Sequence, residues 1–248
     1  MPQRELILPL LLIGTMSHTV LAFIGYWLPR LFCEDTEKRG IYGFMLSFSN
    51  IGFIGYPVIA SIFGHHALFY ASILMLPYTV FAFTIGIHFI SGKSDKHHFD
   101  YHILLSPMMI ASWLAIIMVY SGATQTPTII SHPLQLIGNI TIPAALFVIG
   151  ASLAEVPFSK MFTKKSLYTI SFLRLCCLPM LLYAIADALH FDKSVTQINT
   201  VLMGMPISTY GTMFCYKAQK DDTLMTLGTC LSTLLSILSI PLLLRLIM

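Results

Sequence analysis

The sequence predicts an all-α, polytopic membrane protein of about eight transmembrane helices, with an incomplete inverted five-helix repeat and two broken crossover helices. Three observations lead there. Hydrophobic residues fill 56% of the 248 positions and charged residues only 10%, against about 25% charge in a soluble domain. Basic residues fall on alternate connections between the apolar stretches. Two of those stretches are interrupted by glycine and proline at corresponding places.

The apolar stretches run at 6–32, 41–63, 67–91, 103–120, 134–154, 166–190, 194–216 and 223–247; they are called the first to eighth spans. Each is near the roughly 20 residues that an α-helix needs to cross hydrocarbon. Helices are expected because backbone polar groups in lipid must be satisfied within the segment. Continuous apolar runs argue against the short alternating strands of a β-barrel.

The connections set an orientation. Arg30, Lys38 and Arg39 follow the first span, Lys93 and Lys96 the third, Lys160, Lys164 and Lys165 the fifth, and Lys217 and Lys220 the seventh. The opposite side carries only Arg4, Lys193 and Arg245. By the positive-inside rule the first set faces the cytoplasm and both termini lie outside. A multi-pass protein of a bacterial-type inner (plasma) membrane is expected, with the lipid bilayer as its main partner.

The second span contains Gly52, Gly55 and Pro57, and the seventh contains Gly204, Pro206 and Gly211. Proline removes a backbone donor and crowds the preceding turn. Breaks are therefore expected near 50–58 and 203–210. The seventh span follows the second by five places, and an odd interval reverses the crossing direction. Residues 99–248 then read as a complete five-helix repeat and 1–98 as a partial, three-helix inverted copy. Two helices are expected to be missing before Met1. Paired interrupted helices in corresponding positions point to the binding site of a secondary transporter.

Half-helix N-termini offer N–H donors and partial positive charge, which suit a carboxylate. The candidate binding residues around the breaks are Asn50, Gly55 and Pro57, then Gly204, Pro206, Ser208, Thr209 and Tyr210. The fifth span adds Asn139, Thr141 and Pro143. Asn50 reads equally as polar glue between helices, and Pro143 as a packing kink. Arg174 lies well inside the sixth span, where a charge costs about 2.5–3.5 kcal/mol on insertion scales. It reads as an anion-binding or gating residue, or else as a structural ion pair with Glu155 or a side chain that snorkels to the cytoplasmic face. His18 and His88 read first as buried hydrogen-bonding residues and second as proton relays.

Other functions are disfavoured. The net charge of +3 and the lack of basic runs interleaved with aromatics argue against nucleic acid. The cysteines Cys33, Cys176, Cys177, Cys215 and Cys230 form no CxxC pair, so neither disulfide framework nor metal site is expected. Without HExxH, paired membrane aspartates, a G-x-S-x-G elbow or a phosphate-binding loop, an intramembrane enzyme or ATP-driven pump is not expected. No cofactor is expected; a proton or sodium gradient is the expected drive. A non-transporting membrane scaffold remains the rival reading.

The runs SNIGFIGYPVIASIFGHHALFYASI (49–73), ITIPAALFVIGASLAEV (140–156), 199–216 and LSTLLSILSIPLLL (231–244) resemble the auxin efflux carrier family of membrane transporters. Its bacterial members include carriers assigned to malate and malonate. The resemblance implies ten helices in two inverted repeats, broken helices crossing near the middle, and outward termini. It implies a small organic anion as substrate, a dicarboxylate or auxin-like acid, with the 141–143 segment near the pocket. A homodimer is compatible with it.

Overall fold

A computed structural model describes residues 4–92, 105, 107–121, 127–154 and 164–248, without the side chains of 108, 141, 142, 145, 146, 148, 149, 152 and 153. Lys93, Lys96, His97, His98, Glu155 and Lys160 lie outside the described residues, as does the side chain of Thr141.

The described residues are helical apart from short turns and one isolated antiparallel bridge. Helix α1 (Ile7–Trp27) continues through a 3-10 turn to Leu31. Its 28 residues with the leading turn span about 42 Å at 1.5 Å per residue, enough to cross a bilayer. At its end Arg30 lies over the Tyr26 ring at 3.4 Å, beside Trp27. Aromatic and basic residues of this kind gather at membrane interfaces.

The second span is two helices, α2 (Thr36–Ser47) and α3 (Tyr56–Phe63), with a π-turn at Ile51–Gly55 leading into α3. Asp35 starts α2 as an N-cap, its Oδ1 accepting from the N–H of Glu37 at 3.0 Å and Lys38 at 3.2 Å. Such a cap satisfies donors that have no intrahelical partner. The third span is α4 (Ala67–Phe81), a π-turn at Ala82–Gly86, and α5 (Ile87–Ser91). Then come α6 (Pro107–Ser121) and α7 (Thr128–Ala154). The sixth span is α8 (Lys165–Phe172), a π-turn at Leu173–Cys177, and α9 (Leu178–Ala188). The seventh is again two helices, α10 (Lys193–Met203), capped by Asp192, and α11 (Tyr210–Lys217). The chain ends in α12 (Thr223–Ile247).

Four of these rods are long and apolar enough to cross a membrane: Arg4–Leu31, Ala67–Ser91, Lys165–Ala188 and Thr223–Ile247, with shorter apolar helices at Ile51–Phe63 and Met109–Ser121. The all-helical, polytopic class expected from composition is what the fold has. Boundaries moved: α7 begins six residues before the expected fifth span.

The interrupted helices are innermost. Every residue of 41–51 is buried, and so is every residue of 198–208. A helix apolar on all sides belongs inside a bundle. Phe44, Phe48, Met45, Leu46, Ile51, Leu202, Met203 and Ile207 belong to this core. α1 packs on α2, α4 and α10, and α12 on α8 and α2. Large apolar side chains face outward instead, among them Leu12, Phe23, Phe147, Ile237 and Leu238. In water that outer surface would be costly; against lipid it is the matching solvent.

Candidate functional site

The two breaks meet. Ser49 and Ile207 form an antiparallel bridge, in which the Asn50 N–H donates to the Pro206 carbonyl at 2.8 Å and the Ser208 N–H donates to the Phe48 carbonyl at 3.0 Å. An interrupted helix leaves peptide groups unpaired, and in an apolar interior each costs several kcal/mol. Here the two openings satisfy each other, each giving one N–H and one carbonyl to the other.

Each break is followed by a capped half-helix. Asn50 Oδ1 accepts from the Phe53 N–H at 3.2 Å, and Ser208 Oγ accepts weakly from the Tyr210 N–H at 3.3 Å. The N-termini of the 51–63 and 210–217 segments therefore start from the same bridge. Their dipoles place partial positive charge around it. The neighbouring spans hold the geometry. Ser232 Oγ of α12 accepts from the Ile207 N–H at 3.1 Å, and Tyr78 of α4 shares a 2.8 Å hydrogen bond with Ser208 Oγ.

The second span opens earlier than expected. Its interruption lies at Phe48–Asn50, while Gly55 and Pro57 are helical. Pro57 sits in the first turn of α3, where its missing N–H is least costly, after a π-turn in which the Gly55 N–H reaches the Asn50 carbonyl at 3.0 Å. Gly55 serves close packing: a Cβ there would stand 2.8 Å from Leu202 Cδ2 on the seventh span. In the seventh span Gly204 and Pro206 do lie within the break, and Gly204 faces Leu243 of α12 at a distance that leaves no room for a side chain.

Of the other expected residues, Ser208 is buried at the bridge, and Thr209 and Tyr210 are half-buried beside it. The Tyr210 ring lies 5.4 Å from Phe83 and 6.5 Å from Tyr78. α7 runs against the 51–55 turn, but Asn139 and Pro143 are exposed. The structure does not bring these two into the buried cluster.

Arg174 is fully buried, in the π-turn of the sixth span. Its Nη1 donates to the Leu46 carbonyl at 3.4 Å, four residues before Asn50. Snorkelling to a surface is ruled out by that burial. Sequence reasoning missed Tyr78, Ser17 and Asn199. Asn199 Nδ2 donates to Ser17 Oγ at 2.9 Å, tying α10 to α1 next to His18. Uncharged polar residues in apolar spans were the available signal. Several buried polar atoms near the bridge have no partner among the described residues: Asn50 Nδ2, Ser49 Oγ, Asn199 Oδ1, both ring nitrogens of His18, and Nε and Nη2 of Arg174. Buried polar groups are nearly always hydrogen-bonded, so such a concentration marks a place prepared for polar company.

A lipid-facing bundle built around two interrupted helices that pair at mid-span is the architecture of a polytopic membrane transporter. The chain belongs to the membrane transport protein family, whose profile matches residues 4–102 and 98–244, in keeping with the resemblance to auxin efflux carriers. It is also similar to an uncharacterized transporter of Methanothermobacter thermautotrophicus, 25% identical over 234 residues, a stretch covering 92% of this chain and 74% of that protein.

Proposed function

We propose that this protein is a secondary carrier, not an enzyme, that moves a small organic anion across the membrane. The observation that carries this reading is the Asn50–Pro206 and Ser208–Phe48 bridge, from which two capped half-helices diverge. Around it, N–H donors, the Asn50 amide and positive dipole ends offer what a carboxylate needs, at the depth where a transporter holds its solute. Residues 1–98 and 99–248 are read as partial and complete inverted repeats. One helical panel rocks against the other and exposes the crossing to each side in turn. The lysine and arginine asymmetry supports cytoplasmic connections at 30–39, 164–165 and 217–220, an inner membrane and outward termini. A homodimer is compatible with this mechanism.

The test is uptake into proteoliposomes of malate, malonate, other dicarboxylates and indole acids, with wild type, Asn50→Ala and Pro206→Ala. Saturable flux of at least one anion is expected from wild type, with loss of flux in both variants despite normal membrane insertion. Unchanged flux in both variants would remove the crossing from the binding site, and a wild type inert toward every anion would favour a scaffold.

A further inference from the structure

A groove runs along the outer surface between the sixth span and α12. Tyr168, Phe172 and Cys176 form one wall and Leu235, Leu238 and Leu242 the other, and its volume is about 360 Å³. Phe172 is 61% exposed and Leu238 75%, so the groove opens sideways into the bilayer. The two helices touch near the Lys164 end, where a Cβ on Gly228 would stand 3.4 Å from Leu167 Cδ2. They part farther on, where the π-turn at Leu173–Cys177 and Pro241 interrupt the two hydrogen-bond ladders. Interruptions of these two kinds are the usual causes of a bend in a helix.

Size decides between the occupants. A helix about 10 Å across fills roughly 400 Å³ per 5.4 Å turn, so the groove holds less than one turn of a second copy. A single hydrocarbon chain is the slimmer guest, and it is already at hand in the bilayer. Ser239 also lines the groove, and its hydroxyl has no partner among the described residues. A helical serine can turn that hydroxyl to a carbonyl one turn back, so it does not call for a polar ligand.

One end of the groove is basic. Lys164 and Lys165 are exposed and stand one turn before Tyr168, on the face that continues through Phe172. Lys164 is also within electrostatic range of Asp221, which leaves Lys165 as the stronger attraction for an outside anion. A tyrosine beside lysines is the composition of a headgroup boundary. From Lys165 to Cys176 is eleven residues, about 16 Å at 1.5 Å per residue. One leaflet is half of the roughly 30 Å hydrocarbon layer. A phosphate on the lysines therefore brings the end of its acyl chain to Cys176.

We propose that this groove binds an anionic phospholipid, with its phosphate on Lys164 and Lys165 and one acyl chain between Phe172 and Leu238. Leu175, 2% exposed, lines the groove next to Arg174, whose guanidinium holds the Leu46 carbonyl from the same π-turn. The bound chain packs against the turn that secures the end of α2. Lipid binding here is independent of what the protein carries.

The experiment uses the full chain in nanodiscs with Trp27→Phe and Trp113→Phe, which remove both native tryptophans. Phe172→Trp then reports on the groove, and Phe23→Trp, at a lipid-facing position of α1 that is 65% exposed, reports on ordinary surrounding lipid. Quenching is titrated with phosphatidylglycerol or phosphatidylcholine carrying the same brominated chains. Phosphatidylglycerol should half-quench Phe172→Trp at a mole fraction about tenfold lower than Phe23→Trp, the scale of preference that one or two surface lysines give. Phosphatidylcholine should show no such difference. Lys164→Gln with Lys165→Gln should abolish the preference, and Ser239→Phe, which fills the groove, should make the two reporters alike. The lysine variants lie outside the core and decide the matter even if Ser239→Phe fails to fold. Equal quenching of both reporters by phosphatidylglycerol means surrounding lipid only and overturns the proposal. So does a preference that survives the lysine variants. Protection of Phe172→Trp from every brominated lipid means that a second copy covers the groove, and overturns it too. None of these outcomes touches the carrier reading, which stands or falls on flux.

Discussion

Asn50 and Pro206 are joined by a 2.8 Å hydrogen bond from the Asn50 N–H to the Pro206 carbonyl, although 156 positions separate them in sequence. The bond satisfies the Pro206 carbonyl, which the interrupted helix leaves without the donor four residues on, since the Tyr210 N–H turns to Ser208 Oγ. Neither opening is stable alone in an apolar interior, so the two are expected to form together during folding.

Asn50 has two separable roles, since Oδ1 caps the half-helix and Nδ2 is an unspent donor. Asn50→Asp keeps an acceptor for the Phe53 N–H, loses the donor and adds negative charge. Flux of organic anions should fall at least tenfold with little change in melting temperature. Asn50→Ala should also lose about 1 kcal/mol of stability through the missing cap. Equal destabilisation by the two substitutions would argue against the division of roles.

Gly55 and Leu202 should be energetically coupled. A Cβ on residue 55 would approach Leu202 Cδ2 to 2.8 Å, and overpacking of this kind costs about 1–3 kcal/mol. Gly55→Ala should therefore be destabilising alone and nearly free of that cost when Leu202→Ala is present. A double-mutant cycle on unfolding in detergent would detect a coupling of about 0.5–3 kcal/mol; additivity within error would refute the contact.

The hydrogen bond between Tyr78 and Ser208 anchors the crossing to the third span. Tyr78→Phe should cost about 1 kcal/mol and slow transport. Ser208→Ala should do the same and remove the Tyr210 cap as well. The double variant should be no worse than Ser208→Ala alone. An additive loss of flux would mean that the two residues act separately.

Asp35 makes the start of α2 sensitive to acid. The Lys38 side chain, then the N–H groups of Lys38 and Glu37, hold its carboxyl below the usual carboxylate range. A lowered value in the folded state means that the cap's stabilisation is present above the ordinary carboxylate value, about 3.9, and is lost as pH falls through the folded one. Hydrogen-exchange protection of the Glu37 and Lys38 amides should drop on acidification in the wild type. In Asp35→Asn it should stay flat across the same range, because the amide caps without titrating.

Much of this molecule was legible along the chain. The fold class followed from the scarcity of charge, because lipid admits little else. The Pro206 break was read because it is a local event, set by neighbours in sequence; the caps at Asp35 and Asp192 are as local but went unread. The opening of the second span was less legible. Gly55 and Pro57 drew attention six residues or so past the real interruption, because a π-turn and a first-turn position absorb what proline disrupts elsewhere. The family resemblance put the Asn139–Pro143 stretch near the pocket, and the exposure of Asn139 and Pro143 is a matter of how α7 lies on its neighbours.

The sequence by itself determined that this chain lives in lipid, that it is helical, and that two of its helices resist being continuous; composition and backbone chemistry act locally and need no partner. Only the tertiary structure decided that the two interruptions face one another, that Phe48–Asn50 rather than Gly55–Pro57 is the open segment, and that Arg174 is wholly buried with its guanidinium on the Leu46 carbonyl. Those outcomes depend on which unpaired peptide groups and buried charges come within hydrogen-bonding or electrostatic reach, and in a bundle that reach is set by packing across more than a hundred residues of chain.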